Sequence, residues 1–142
     1  MNLTENYNTS LSPEQKAKLR KIRHLALDMD GTIYLGSNLF PYTVDFLNTM
    51  KVRGIGYSFL TNNPTKSVED YLTKLSGMGI HADAGNMYTT SLAAIDYLKS
   101  HYPEAKRLFF LGTPSMIRQF EQAGYETAAD DPDDVPDVLV VA

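Results

Sequence analysis

Asp28-Met29-Asp30-Gly31-Thr32 sets two carboxylates one residue apart at the end of the largely apolar stretch Ile22 to Leu27, with a glycine and a hydroxyl next in line. Alternate residues of a strand share a face, so Asp28 and Asp30 are expected to project toward one point where the strand ends. Carboxylates held that close repel each other, and a hard cation such as Mg²⁺ neutralises the pair. Gly31 lets the backbone turn sharply and come close to a ligand. The pattern suits a carboxylate nucleophile with a second carboxylate beside it, at the strand edge where open α/β sheets bind their ligands.

Two plainer readings compete at this point. Asp and Gly together also make ordinary strand-ending turns. The stretch is also close to the opening of a calcium loop, but the glycine follows the second Asp directly and no acidic ligand occupies Leu35 to Leu39. That spacing does not match a calcium loop.

The elements that must position these residues are legible from patterning. Met1 to Thr9 is polar and without periodicity, so a loose tail is expected. Ser12-Pro13-Glu14-Gln15 reads as a capping box opening a short basic helix, whose lysines and arginine form a solvated face. Ile33 to Phe40, interrupted by Gly36-Ser37-Asn38, suggests a small hairpin or flap. Pro41 is placed to open a helix with Phe40, Val44, Leu47 and Met50 on its apolar face. A second strand, Ile55 to Leu60, ends in Thr61-Asn62-Asn63-Pro64, a run of small polar residues at a strand end.

Thr65 or Ser67 caps the next helix, with Val68, Tyr71, Leu72, Leu75 and Met78 at spacings of three and four. A short strand near Met87 and Tyr88, a helix capped by Ser91, a strand from Arg107 to Leu111 and a helix after Gly112-Thr113-Pro114 follow. The acidic loop Asp130 to Asp137 reads as a solvated connection and Val138 to Ala142 as a last apolar strand. Strands alternating with helices predict an α/β fold, a parallel sheet with helices on both faces. The expected organisation is an N-terminal extension over 1–20 and the N-terminal part of a hydrolase-type core over 21–142. Because the chain stops inside a buried-type strand, truncation is expected.

Composition narrows the classes. The 142 residues are 43% hydrophobic and 21% charged, enough for a proper core. A net charge of −4 speaks against a nucleic-acid partner, and no apolar stretch approaches the length of a membrane span. Cysteine is absent, which excludes disulfides and thiolate chemistry. A cytoplasmic location is the default expectation. His24, His81 and His101 lie in unrelated contexts and are expected to be structural or exposed.

Asp28-Met29-Asp30-Gly31-Thr32 resembles motif I of the haloacid dehalogenase superfamily, and Phe59-Leu60-Thr61-Asn62-Asn63 resembles its motif II. With the short flap after motif I, the pair is similar to the NagD-like class IIA branch of p-nitrophenyl phosphate, nucleotide and sugar phosphate phosphatases. The resemblance runs from about His24 to Ala142 and implies a Rossmannoid core. It implies a Mg²⁺-dependent phosphatase acting on a small phosphorylated metabolite. Asp28 would be the nucleophile that forms an aspartyl-phosphate, and Asp30 the general acid and then base. Mg²⁺ would sit on the Asp28 carboxylate and the Asp30 backbone carbonyl; Thr61 and the Asn62 N–H would hold phosphoryl oxygens, with Asn63 shaping the site.

The family's motif III lysine and motif IV acidic ligands have no counterpart here, and the run Asp130 to Asp134 stands in the wrong context for motif IV. The cap and the C-terminal half of the core are expected to be absent, and the 142 residues alone are expected to be inactive and to self-associate as a homo-oligomer. Two alternatives remain on the residues. A non-catalytic phosphoryl-binding or signalling domain of the receiver type would carry its acidic pair on a different strand from the phosphorylated Asp. A dehalogenase would not need the proton donor that Asp30 supplies to an oxygen leaving group.

Overall fold

A computed structural model describes residues 11–142; the expected loose tail lies outside the described residues. Helix α1 (Pro13–Leu19) opens on the expected capping box, with Ser12 Oγ accepting the Gln15 N–H and Gln15 reaching back to the Ser12 N–H. It buries none of its residues. Strand β1 (His24–Asp28) then leads into the hairpin β2 (Tyr34–Leu35) and β3 (Asn38–Leu39), an antiparallel pair. Gly36 turns that hairpin at φ +60°, a left-handed conformation that glycine adopts without a Cβ penalty.

Helix α2 (Thr43–Val52) starts two residues later than Pro41 predicts, behind a turn at Pro41-Tyr42. Its inward face also differs. Val44 is exposed, whereas Thr43 is buried and donates its hydroxyl to the Ile33 carbonyl at 2.7 Å. Hydrophobicity alone misassigns that face, because a threonine with a backbone acceptor is satisfied inside.

Strand β4 (Gly56–Thr61) runs parallel to β1, pairing Leu27 with Phe59 and Asp28 with Leu60. Helix α3 (Val68–Gly77) is capped by Ser67 in a reciprocal box with Asp70. After a 3₁₀ turn (Ala84–Asn86), β5 (Met87–Thr89) joins β4 in parallel. Helix α4 (Thr90–His101) is capped by Thr89, not Ser91; Ser91 is buried in the first turn. Strand β6 (Arg107–Leu111), helix α5 (Pro114–Gln122), and strands β7 (Glu126–Thr127) and β8 (Val138–Val141) complete the chain.

The α/β class and its parallel strands stand as read from the sequence. Apart from the β2-β3 hairpin, the strands fall into two parallel sheets, in the orders β1-β4-β5 and β7-β6-β8. Alternation of strand and helix predicts parallel neighbours but does not say which strands are neighbours. In the first sheet Phe59 and Met87 pack with Leu47 of α2 and with Tyr71 and Leu75 of α3. The opposite face, carrying Ala26, Leu60 and Tyr88, is exposed. In the second, Leu108, Phe110, Val138 and Val140 pack with Ile95 and Leu98 of α4 and Met116 and Phe120 of α5. Leu111, Leu139 and Val141 alternate with them and are exposed. The core of the first sheet thus lies on its Phe59 and Met87 face, and that of the second on its Leu108 and Phe110 face.

The acidic loop is more than a solvated connection. Arg107 donates from Nε and Nη2 to both carboxylate oxygens of Asp134, at 2.7 and 2.6 Å, and Asp134 Oδ2 also accepts the Ala129 N–H. Asp137 Oδ2 accepts the N–H groups of Lys106 and Arg107. The loop is thus tied to the start of β6 at both carboxylates.

The Arg107 hydrogen bonds and the Ala129 N–H lower the Asp134 pKa from the ordinary 3.8 to about 2. A depressed folded-state value makes this clasp stabilising above pH 3.8, and the stabilisation is lost as pH falls through about 2. Asp134→Asn is expected to lower the melting temperature at neutral pH, with the gap from wild type closing as pH falls across that window. A gap that stays constant down to the acid end would show that the Asp134 charge does not contribute.

Candidate active site

Strand β1 ends at Asp28, and the next residue, Met29, is 1% exposed within the core. Asp28 and Asp30 flank it and are both exposed, so the alternation expected from the sequence is present. The turn after them is tightly bonded: Thr32 and Ile33 donate their N–H groups to the Met29 carbonyl, and Gly31 N–H donates to the Tyr34 carbonyl at 2.7 Å. Gly31 has φ +86°, which a residue with a Cβ adopts only under strain. Helix α2 pins the same turn, through Tyr42 O–H to the Thr32 carbonyl and Thr43 O–H to the Ile33 carbonyl.

Thr32 Oγ1 donates to Asp28 Oδ2 at 3.1 Å, holding one carboxylate oxygen. Among the described residues no other side chain bonds to Asp28, and none bonds to the Asp30 carboxylate. Neither is in an ion pair there. The donor set suits a hard divalent cation, since it consists of carboxylate oxygens that no described cationic side chain neutralises. Among the described residues it is not joined by further His, Cys, Asp or Glu to make a group of three.

The second expected group stands at the end of β4, which is parallel to β1, so Asp28 and Thr61 lie at the same carboxyl edge. Thr61 Oγ1 accepts the Asn63 N–H at 3.2 Å and lies 3.2 Å from the Tyr71 hydroxyl oxygen. Its carbonyl accepts the Thr90 hydroxyl, tying β4 to the start of α4. Asn62 is exposed. Asn63 Oδ1 accepts both the N–H and the O–H of Thr65, at 3.0 and 2.7 Å, so its side chain closes the turn before α3.

Three residues beside the edge carry no motif and were not singled out by sequence as site residues: Tyr71, Lys74 and Lys66. Tyr34, expected in the flap, turns inward and is 1% exposed, while its neighbour Leu35 is exposed. Lys74 Nζ lies 3.8 Å from the Tyr34 ring centroid and Lys66 Nζ 5.9 Å from that of Tyr71, both cation–π geometries. Burial first, then the neighbouring Tyr71, Asp30 and Asp28, pushes the Tyr34 phenol up to about 12. Burial also lowers the Lys74 ammonium, with Lys66 adding to that and Asp30 opposing it. One available signal was the polar tip of Tyr71 on an otherwise aliphatic helix face, since a buried phenol needs a partner.

The expectation for the histidines holds in geometry. His24 Nε2 pairs with Ser58 Oγ at 2.9 Å, His101 stacks on Tyr97, and all three histidines are exposed.

The parallel sheet thus carries a turn with two carboxylates and a strand-end hydroxyl at one edge. The profile described as haloacid dehalogenase-like hydrolase matches residues 25–126, and the chain belongs to that family. It is similar to the chloroplastic phosphoglycolate phosphatase 1A of Arabidopsis thaliana, at 31% identity over 100 residues, 70% of this chain and 28% of that protein. It is also similar to the acid sugar phosphatase of Staphylococcus aureus, at 30% identity over 106 residues, 75% of this chain and 40% of that protein. Among solved structures, the 4-nitrophenylphosphatase of Thermotoga maritima superposes with a TM-score of 0.77 at 33% identity, over 87% of this chain and 45% of that one. The chain thus spans less than half the length of each of these proteins. Among the described residues no helix is long and apolar enough to cross a membrane.

Proposed function

We propose that the whole protein is a divalent-metal-dependent phosphatase, hydrolysing phosphate monoesters of small metabolites through a phosphorylated Asp28. The observation that carries this reading is the carboxyl edge itself, with Asp28 and Asp30 exposed at the end of β1 and Thr61 at the end of the parallel strand β4. The named activities of the similar proteins are all phosphatases, which supports the same reaction class.

In the proposed reaction an oxygen of Asp28 attacks phosphorus and the bond to the ester oxygen breaks. Thr32 holds the other oxygen of that carboxylate, at 3.1 Å, which fixes the direction of attack. Asp30, in its carboxylic acid form, gives its proton to the leaving oxygen. Water then attacks the phosphorus, Asp30 takes up its proton, the bond to Asp28 breaks and orthophosphate leaves. The Thr61 hydroxyl and the Asn62 N–H donate to phosphoryl oxygens. Asp28 and the Asp30 backbone carbonyl would hold Mg²⁺, which when bound offsets the negative charge of the transferring group. With two carboxylates in the described set, weak metal affinity is expected for these 142 residues alone.

The test is hydrolysis of a panel of phosphate monoesters by the whole protein with Mg²⁺ and with a chelator, alongside Thr61→Val. The substitution keeps the shape of the side chain and deletes its hydroxyl. Loss of one charge-assisted donor is expected to lower kcat/KM by about tenfold to a hundredfold, with some fall in melting temperature because the Tyr71 hydroxyl and the Asn63 N–H lose their partner. An unchanged kcat/KM with a lowered melting temperature would make Thr61 a structural residue. Absence of hydrolysis under every metal condition would overturn the reading.

A further inference from the structure

Tyr71 is 3% exposed, and its hydroxyl oxygen lies 3.2 Å from Thr61 Oγ1. Either oxygen could be the donor by distance alone, but the surroundings decide. A hydroxyl carries one proton and two lone pairs. Thr61 Oγ1 already accepts the Asn63 N–H, and Thr61 itself is half-buried at the strand edge. If Thr61 donated to Tyr71, the buried phenolic proton would have no acceptor among the described residues, a costly arrangement. With Tyr71 donating, its O–H and the Asn63 N–H fill both lone pairs of Oγ1. The Thr61 proton is then the one donor left over, on a side chain that solvent reaches.

We propose that Tyr71 is a positioning residue, donating its O–H to Thr61 Oγ1 and so turning the Thr61 proton outward toward a phosphoryl oxygen. This rests on the phosphatase reading above and adds a residue to it. Burial raises the Tyr71 phenol above its ordinary value, with Asp30 and Asp70 adding, so the proton is present at neutral pH. The consequence is preorganisation: a donor aimed before the ligand arrives need not be reoriented when it binds.

The test measures the dissociation constant of inorganic phosphate, with Mg²⁺ present, for the whole protein and for its Tyr71→Phe, Thr61→Val and double variants. Thermal melts are run on each. Tyr71→Phe is expected to weaken phosphate about three- to tenfold, and the double variant to bind no more weakly than Thr61→Val, because Tyr71 acts through Thr61. Thr61→Ser is expected to restore both the affinity and its dependence on Tyr71. A further measurement leaves Tyr71 in place and so does not depend on whether Tyr71→Phe folds. The Tyr71 ring-carbon resonance beside the hydroxyl should shift on phosphate addition in wild type and stay fixed in Thr61→Val.

Wild-type binding with equal affinity in Tyr71→Phe would overturn the positioning role and leave the phosphatase reading intact. A purely structural Tyr71 gives that result, with a lower melting temperature only. Wild type that shows no phosphate binding at all would overturn both.

Discussion

Asp28→Asn is expected to abolish turnover of p-nitrophenyl phosphate by the whole protein, by at least about 10³-fold in kcat. An amide has neither the charge nor the nucleophilicity of a carboxylate, so no phosphoryl-enzyme can form on it. The fold should survive. Asp28 is exposed at the strand end, and its one described side-chain hydrogen bond, from Thr32, can be accepted equally by an amide oxygen. Surface substitutions of this kind change stability by about 0.5 kcal/mol or less. Asp30→Asn is the informative comparison. It leaves the nucleophile in place, so radiolabelled phosphate from a substrate with a good leaving group should still be captured on Asp28, while release slows by about 10²–10⁴-fold. If Asp28→Asn kept near-normal kcat, the nucleophile would lie elsewhere. If the two variants behaved alike, with no captured phosphate in either, the division of roles between the carboxylates would fail.

What was legible in the sequence was what neighbouring residues decide among themselves. Asp28 and Asp30 straddling a buried Met29 follows from strand alternation, and Thr61 at the edge of β4 follows from an apolar run ending in small polar residues. The capping box at Ser12 closes over three positions and was readable for the same reason, as was Ser67 as one of two candidate caps for α3. Ser91 was a poorer guess than Thr89 because two hydroxyl residues two positions apart offer the same local signal. What the sequence did not show depends on long-range pairing. The division into two sheets is a choice of neighbours for β6, which takes β7 and β8 rather than β5. The clasp from Arg107 to Asp134 closes over 27 positions, and it turned an acidic loop into a fixed one. The contact between Tyr71 and Thr61 joins a helix to a strand end, and neither residue alone predicts it.

Phe59→Ala is expected to have the largest effect on stability. Phe59 is fully buried in the central strand of the first sheet, paired in register with Leu27 on one side and Met87 on the other. Its ring meets Tyr57 at 5.3 Å and shares a core with Leu47, Tyr71 and Leu75, so both α2 and α3 close over it. Removing a ring from such a site loses its transfer free energy and leaves a cavity that two helices on a strand cannot readily collapse, a cost of about 3–5 kcal/mol. A domain of ordinary stability has about 5–15 kcal/mol in all. The melting temperature should therefore fall by roughly 10–20 °C, and part of the population should be unfolded at moderate urea. Phe59→Leu keeps most of the volume and should cost about half as much or less. Leu60→Ala, one residue along on the exposed face, should cost well under either. The site should suffer with the core, because Thr61 lies two residues beyond Phe59 and its partner Tyr71 packs in the same cluster. Denaturant midpoints for the three variants, with phosphate affinity measured below each transition, check this. If Phe59→Ala and Leu60→Ala shifted the midpoint equally, the helices would not be packed on the face assigned to them, and the placement of Tyr71 behind Thr61 would lose its support.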